Sequence, residues 1–522
     1  MSPNRRIFMN VIATYGRSLY ALVCGLFTSR WVLMSLGEVD FGLYGVVGGL
    51  AAFMQFFNNL LGTAVVRFYG VSVGAANISK SREQALDECR RWFSIAFALY
   101  VVIPAILIAI GYPIGEWAIR CFLTIPESRV QPCLWVWRFT CIASLIWMFN
   151  VPFQAMYTAK QEIAELTIYG FATTTINVCF LYYMVTHPAD WLARYSLGMC
   201  LIGIIPQIII GIRAVIKYPE CRFRRTYVLD FTRIKQLGVY AGSRFWTALC
   251  GIFSSHGQNI LVNKYMGPVL NASMTVGAQV SSHSSTLSSS ISGAFWPAIA
   301  NAAGEQDINK VKSLCFRVCR LSTLMVLIFV IPLSLEIDNV LRLWLKNPPA
   351  FASAICVATL FATICERITE GYWMAVMGIG KRVAYYSWVV GWAGMSGFIM
   401  AFVLLGLGTG LWGICAAIAL SNVVMICFRL YLGKTIIGLS SVHWLRKVLF
   451  PMCIVALCTT IVGLPSRLFM DATFIRICIT TLCCLVAFGS SSWAFILTIE
   501  EKALLLVRAS TIVGKFRCGI DR

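Results

Sequence analysis

Residues 26–74 read LFTSRWVLMSLGEVDFGLYGVVGGLAAFMQFFNNLLGTAVVRFYGVSVG, with only four charged side chains in the whole stretch: Arg30, Glu38, Asp40 and Arg67. Apolar runs of this kind recur from end to end. Of 522 residues, 59% are hydrophobic and 12% are charged, and the mean hydropathy is +0.77. A soluble globular protein carries about 25% charged residues. A water-facing fold is therefore excluded, and the sequence predicts an all-α polytopic membrane protein.

A helix needs ~20 residues to cross the hydrocarbon core of a bilayer. Breaks at charged or Gly/Pro-rich positions predict about fourteen such helices. Their centres lie near residues 22, 54, 103, 145, 175, 204, 250, 285, 327, 363, 394, 420, 457 and 485. The segments near 250 and 285 are rich in serine, and treating either one as a loop would reverse the orientation of every later span.

The positions of the basic residues predict the orientation. With both termini in the cytoplasm, 28 of the 43 Lys and Arg residues fall inside and 8 fall outside, as the positive-inside rule requires. The asymmetry holds on both sides of the two Ser-rich segments. Most of the basic residues behind the net charge of +21 therefore keep loops in the cytoplasm and attract anionic lipid headgroups. No nucleic-acid partner is predicted.

Two pairs of segments indicate an internal repeat. EWAIRCFLTIP (116–126) and DNVLRLWLKNP (338–348) keep Arg, Leu and Pro at identical spacing, 222 residues apart. At a similar offset LFTS (26–29) parallels IFSS (252–255), and glycines follow at Gly37 and Gly267. Such repeats are common in transporters. We expect two six-helix lobes in pseudo-repeat around a central cavity, plus two C-terminal helices. The predicted parts are an N-lobe (1–216), a basic cytoplasmic linker (217–235), a C-lobe (236–433), the two added helices (434–499) and a cytoplasmic tail (500–522).

Ionisable and polar side chains inside the spans are the candidates for a binding site, because they are costly there unless they face a cavity or a partner. Four cations predict a cavity that binds an anionic substrate: Arg17, Arg30, Arg67 and Arg244. Polar residues at helical spacing predict further lining of this cavity: Gln55, Asn58, Asn59, Gln258, Gln279 and Ser282. In the tenth span, Glu366, Arg367 and Glu370 predict an ion pair or a coupling site. Close helix packing by small and hydroxylated residues remains an alternative for the serine stretch.

No motif in the sequence indicates an enzyme or a metal site. The 21 cysteines show no CxxC spacing typical of zinc sites, and His256 and His283 lack nearby ligands. No P-loop, nucleophile elbow or paired-carboxylate site occurs. We therefore predict no metal, no cofactor and no enzymatic activity.

The N-terminal stretch resembles the polysaccharide-transporter branch of the multidrug/oligosaccharidyl-lipid/polysaccharide exporter superfamily, which includes Wzx-like O-antigen and lipopolysaccharide flippases. The resemblance is carried by residues 28–30, the Leu36-Gly37 turn, residues 40–44, residues 46–49 and the Arg67-Phe68 pair. It covers roughly the first 160 residues, with residues 151–155 similar to the ending of the family's fourth span.

This resemblance implies a flippase that moves a polyprenyl-diphosphate-linked oligosaccharide across the bacterial cytoplasmic membrane by alternating access. Arginine can grip a diphosphate with paired hydrogen bonds. Glycosyltransferases and a polysaccharide polymerase are the implied partners, and coupling to H+, to Na+ or to the membrane potential stays open. Two alternatives also stay open: a cation-coupled multidrug or metabolite exporter of the same superfamily, and a membrane-bound polysaccharide polymerase or ligase.

Overall fold

The computed structural model describes residues 27–50, 82–160, 162–228, 230–380 and 382–496, with shorter pieces at 16–17, 20–21, 23–25, 62, 65–66, 68–69, 72 and 502. Among these residues every regular element is a helix, and no strand occurs. The all-α class predicted from composition is confirmed. The chain is a multi-pass membrane protein, since eleven of the helices are long and apolar enough to cross a bilayer.

The helices are numbered here in chain order. They are α1 (Val23–Leu50), α2 (Arg82–Trp117), α3 (Glu127–Ala159), α4 (Ile163–Thr186), α5 (Leu192–Lys217), α6 (Phe231–Ile252), α7 (Gln258–Met266), α8 (Pro268–Gly304), α9 (Ile308–Leu335), α10 (Ile337–Leu345), α11 (Ala352–Arg367), α12 (Glu370–Ile379), α13 (Val383–Gly406), α14 (Gly410–Ile437), α15 (Ser441–Trp444), α16 (Phe450–Phe469) and α17 (Phe474–Phe495). Three π-helical turns continue α2, α6 and α15: Ala118–Phe122, Phe253–Gly257 and Leu445–Leu449.

The eleven candidate spans match most of the predicted spans. Four of the fourteen predicted centres, 22, 54, 250 and 285, lie in none of the eleven, and Val23–Leu50 falls between the first two of them. The span centred on residue 54 lies largely outside the described residues, and the two Ser-rich segments form α6 to α8, which are helical without reaching the hydropathy of the other spans. The count of fourteen stays a prediction.

The chain divides into two compact units, each built from three separate segments. The first unit comprises Met1–Val276, Trp344–Ile355 and Ser387–Ser421. The second unit comprises Gly277–Leu343, Cys356–Tyr386 and Asn422–Arg522.

The repeated sequence segments adopt similar local structures. Gly37 and Gly267 both have positive φ, 75° and 82°, a conformation that glycine adopts without a steric penalty. Gly37 lies within the helix α1, and Gly267 separates α7 from α8. Arg120 lies in the π turn that ends α2, and Arg342 lies in the short helix α10. In both copies the segment ends in an irregular connection before the next long helix.

Within the first unit, α1 packs closely against α8 and the π turn that follows α6, through three glycines on one face, Gly42, Gly45 and Gly49. A Cβ atom on Gly42 would overlap the carbonyl oxygen of Pro268, and one on Gly45 would lie 2.6 Å from Thr275 Oγ1. One on Gly49 would lie 3.3 Å from a ring nitrogen of the π-turn histidine. Small residues allow this approach of backbones, the usual means of helix association in lipid.

The predicted basic linker is held against α2 and the end of α3. Its two 3-10 turns span Pro219–Cys221 and Arg225–Tyr227. Arg233 donates three hydrogen bonds to the Glu88 carboxylate, from Nε at 3.2 Å and from Nη2 at 2.8 and 2.7 Å. Lys160 pairs with the buried Glu220 at 2.7 Å. The linker is therefore an ordered part of the first unit.

In the second unit, a buried ion pair connects α17 to the junction of α9 and α10. Arg476 donates to Glu336 Oε2 through Nε at 3.0 Å and Nη2 at 2.8 Å. Thr480 donates to Oε1 at 3.0 Å, and Asn339 donates to Oε2 at 3.4 Å. The last two helices are thereby joined to the rest of their unit by polar as well as apolar contacts.

Candidate functional site

Arg17 is the predicted substrate-binding cation whose surroundings the structure describes most fully. Its side chain is exposed and lies against Gly170 of α4, where a Cβ atom would overlap the guanidinium. The hydroxyls of Tyr20 and Thr175 are hydrogen-bonded at 2.9 Å, and the Tyr20 ring lies beside Phe171 with centroids 5.4 Å apart. The N-terminal segment thus packs along α4, and the missing side chain of Gly170 leaves room for the guanidinium.

Within the part of the chain that the structure describes, Arg17 has no carboxylate partner. Arg17 precedes the candidate span Val23–Leu50, and its exposed side chain is open to a ligand. The planar guanidinium presents five N–H donors that match the oxygens of a phosphate group. Arg17 is therefore suited to binding an anion.

A cavity of about 330 Å³ lies among α1, α3, α4 and α5 of the first unit. Its polar lining residues are Thr140, Thr173, Thr174, Asn177 and Ser196, and its aromatic ones are Tyr44, Phe139 and Trp147. The side-chain oxygen of Asn177 is buried and accepts no hydrogen bond from any described residue. A buried acceptor without a donor is costly, so this oxygen favours a hydroxyl, an amide or a water in the cavity.

Arg17 and the cavity share one face of α4. Gly170, Thr174 and Asn177 are spaced i, i+4 and i+7, which places them on the same side of the helix. At 1.5 Å per residue, Asn177 lies about 10 Å along the axis from Gly170. We call this face, with Arg17 at one end and the polar cavity at the other, the α4 groove. The polar run from Thr173 to Asn177 is a sequence signal for this groove, although it contains no ionisable residue.

The other predicted cations are described less completely. Arg30 lies on α1 and is partly buried. Arg244 lies on α6, and its side chain is outside the described part of the structure. Arg67 and three predicted lining residues, Gln55, Asn58 and Asn59, lie outside the described residues.

The three remaining predicted lining residues differ in exposure. Gln258 is buried in the first unit, with its amide nitrogen 2.8 Å from where a Cβ atom of Gly397 would stand. In the second unit, Gln279 has a buried side-chain oxygen without a donor among the described residues, whereas Ser282 is exposed. Gln258 therefore fills a helix interface, and Ser282 faces an open surface.

The acidic residues of the tenth predicted span lie at a break between two helices of the second unit. Helix α11 ends at Arg367 and α12 begins at Glu370, so the 28-residue span Ala352–Ile379 is interrupted near its middle. Arg367 Nη1 donates to Glu370 Oε2 at 2.9 Å, and the two side chains are 13% and 11% exposed. Glu366 is exposed. Broken helices near the bilayer midplane are typical of transporter binding sites.

A second cluster of charges, which the sequence did not reveal, surrounds Arg129 at the start of α3. Its Nε lies 3.2 Å from the buried Asp40 of α1, and its Nη1 lies 2.8 Å from Asp190. Arg129 lies 89 positions after Asp40 and 61 positions before Asp190, so no local pattern connects the three residues. Asp40, the acid within the resemblance segment, is therefore already paired.

These features define a polytopic helical membrane protein with cationic and polar groups buried between its helices, which is the construction of a membrane transporter fold. Comparison with solved structures supports this class. The chain is similar to the lipid II flippase MurJ in an inward closed conformation, with a TM-score of 0.64 and 12% identity over 94% of this chain and 98% of that one.

Multidrug transporters share the fold at similar identity. An inward-facing MATE family transporter of the MOP superfamily gives a TM-score of 0.57 and 12% identity, covering 80% of this chain and 94% of that one. The MATE multidrug transporter DinF-BH in complex with R6G gives 0.54 and 12%, covering 82% and 97%. No family model and no curated protein matches the chain. The chain has the fold of MOP superfamily transporters.

Proposed function

We propose that this chain is a flippase that moves a polyprenyl-diphosphate-linked oligosaccharide from the cytoplasmic to the outer leaflet of the bacterial cytoplasmic membrane by alternating access. It would serve the synthesis of a cell-surface polysaccharide such as O-antigen, lipopolysaccharide or capsule, as a member of the Wzx-like branch. The observation that carries the proposal is Arg17, an exposed guanidinium beside a polar cavity in a chain with the fold of a lipid II flippase.

The α4 groove offers the two kinds of contact that such a substrate needs. A diphosphate is dianionic or more, and a guanidinium can form two parallel hydrogen bonds to its oxygens. The neighbouring cavity is lined by hydroxyl and amide groups among apolar side chains, with no charged residue, so it can hydrogen-bond to the hydroxyl groups of a ligand without binding them by charge. Arg17 then binds the linkage, and Asn177 accepts a hydrogen bond from a group close to it.

The second candidate is a drug exporter, which the two MATE structures favour by fold. An exporter of organic cations needs a carboxylate that can exchange its cation for the drug. The buried acid of α1, Asp40, is paired with Arg129 at 3.2 Å, and Arg17 would repel a cation. The charges of the first unit therefore favour an anionic substrate.

The proposal is tested by depleting the protein from its host and measuring which leaflet holds the lipid-linked oligosaccharide. We expect the intermediate to accumulate on the cytoplasmic face, inaccessible to a lectin added to intact spheroplasts. A plasmid copy with Arg17→Ala should fail to restore surface exposure, whereas Arg225→Ala, an exposed arginine of the linker, should restore it. Normal exposure after depletion would exclude the flippase function.

A further inference from the structure

The second unit contains a cavity of its own at the break between α11 and α12. Its volume is about 340 Å³, and it is lined by Glu366, Glu370, Trp373 and Arg429. Cavities of ~300–1,000 Å³ are typical of small-molecule sites. We call it the break cavity.

The charges around the break cavity cancel. Glu370 is paired with Arg367 at 2.9 Å, so its second oxygen is the one that can serve a ligand. The guanidinium of Arg429 donates through Nη1 to the carbonyl oxygen of Glu366 at 3.3 Å and to Thr369 Oγ1 at 3.2 Å. The two carboxylates of Glu366 and Glu370 are therefore matched by the two guanidiniums of Arg367 and Arg429. A site with no net charge favours the binding of neither a polyanion nor a bare cation.

Hydrogen-bonding capacity nevertheless remains in the cavity. Glu366 is exposed and has no basic partner among the described residues. Arg429 Nε is buried and has no acceptor among them. The cavity thus offers charged acceptors and charged donors together, which a ligand with many hydroxyl groups can satisfy as donor and acceptor at once.

An aromatic surface completes the cavity. Trp373 lines it and is 40% exposed, and Trp296 of α8, 39% exposed, is stacked on it with ring centroids 5.9 Å apart. An exposed indole face gains free energy when it is covered by an apolar surface. The C–H face of a pyranose ring is such a surface, while its hydroxyl groups point outward toward polar partners.

We propose that the break cavity is a saccharide-binding site that takes a neutral pyranose ring of the transported glycan. The ring stacks on Trp373, the Glu366 and Glu370 carboxylates accept hydrogen bonds from its hydroxyls, and Arg429 donates to its oxygens. The assignment to the transported glycan rests on the proposed function, whereas saccharide binding itself does not.

The test is saturation-transfer difference NMR on the full-length protein in nanodiscs, with free glucose, galactose and N-acetylglucosamine as probes. We expect saturation of the ring C–H protons of at least one sugar. Trp373→Ala should weaken binding at least tenfold, and Trp412→Ala, a more exposed tryptophan that does not line the cavity, should leave it unchanged. Glu366→Gln should weaken binding severalfold while leaving a surface side chain of the same shape.

The outcomes separate this proposal from the flippase function. Inorganic pyrophosphate should not displace the sugar, because the diphosphate is assigned to the α4 groove. Absence of transfer to every sugar, or equal binding in wild type and both cavity variants, overturns the saccharide site even if lipid flipping is normal. A 23Na signal that depends on Glu366 in the absence of sugar binding also overturns it, in favour of a cation site. Sugar binding without flipping supports the site and overturns the proposed function.

Discussion

Replacing Arg476 by methionine should destabilise the second unit by about 3–5 kcal/mol, the usual cost of leaving one partner of a buried ion pair uncompensated. The pair is buried, which is why the loss of one partner should be costly. The Glu336 side chain is 1% exposed and that of Arg476 is 12% exposed. Without Arg476, the contact that Glu336 Oε2 keeps among the described residues is the one with Asn339 at 3.4 Å, which is longer than a usual hydrogen bond.

The same region supplies a matched control. Arg467 and Asp338 form a second pair between α16 and α10, at 3.6 Å, but their side chains are 42% and 56% exposed. Exposed pairs contribute about 0–1 kcal/mol. Arg467→Met removes the same charge and adds the same side chain, so it should cost no more than this.

The assay is reversible unfolding in mixed micelles, in which the mole fraction of SDS is raised and tryptophan fluorescence follows the folded fraction. The double variant Glu336→Leu/Arg476→Met should recover much of the lost stability, because it leaves no unpaired charge. If Arg476→Met unfolds at the same SDS fraction as Arg467→Met, the buried pair does not hold α17 to its unit and the reasoning fails.

Three further outcomes are expected. Gly42→Ala should destabilise the fold by about 1–3 kcal/mol through overpacking, whereas Gly48→Ala, whose Cβ meets nothing within 4 Å, should be neutral; equal unfolding midpoints would refute the close packing of α1. Gly170→Val should displace Arg17 and slow flipping at least tenfold at unchanged protein level, and a wild-type rate would show that this position of the guanidinium is not used. The pKa of Asp230, which caps α6, is lowered by the backbone N–H and the guanidinium of Arg233. The stabilising effect of the Asp230 carboxylate is therefore complete above the unfolded pKa of ~3.9 and is lost as the pH falls through the lower folded pKa. A 13C titration midpoint of Asp230 at or above the unfolded pKa would contradict this.

The helical class and much of the span order could be predicted, because lipid makes the length of an apolar run decisive. The special backbone conformation of two glycines could also be predicted, since Gly37 and Gly267 follow related tetrapeptides and both adopt positive φ. The Ser-rich segments were harder, because hydroxyl groups lower hydropathy while still allowing α6 and α8 to form.

The side-chain environments could not be predicted in the same way. Glu336 and Arg476 are 140 residues apart, so no local pattern pairs them. The role of Gly170 becomes visible only in the structure, where the Arg17 side chain lies over it. An ion pair of Arg367 with a neighbouring glutamate could be predicted, because Arg367 and Glu370 lie at i and i+3. The helix break that places them beside Arg429 and Trp373 is a tertiary feature and could not. The local sequence shows which residues share a face of a helix. Which residues of other helices contact that face depends on the tertiary packing.

The most direct measurement of the central claim is flipping in proteoliposomes that contain the purified protein and a fluorescent lipid-linked oligosaccharide with a diphosphate linkage. Membrane-impermeant dithionite should bleach about half of the label in protein-free vesicles and nearly all of it in vesicles with the wild-type chain. The Arg17→Ala variant should return the bleached fraction to about half. Equal bleaching with and without the protein, or full bleaching by Arg17→Ala, would contradict the account.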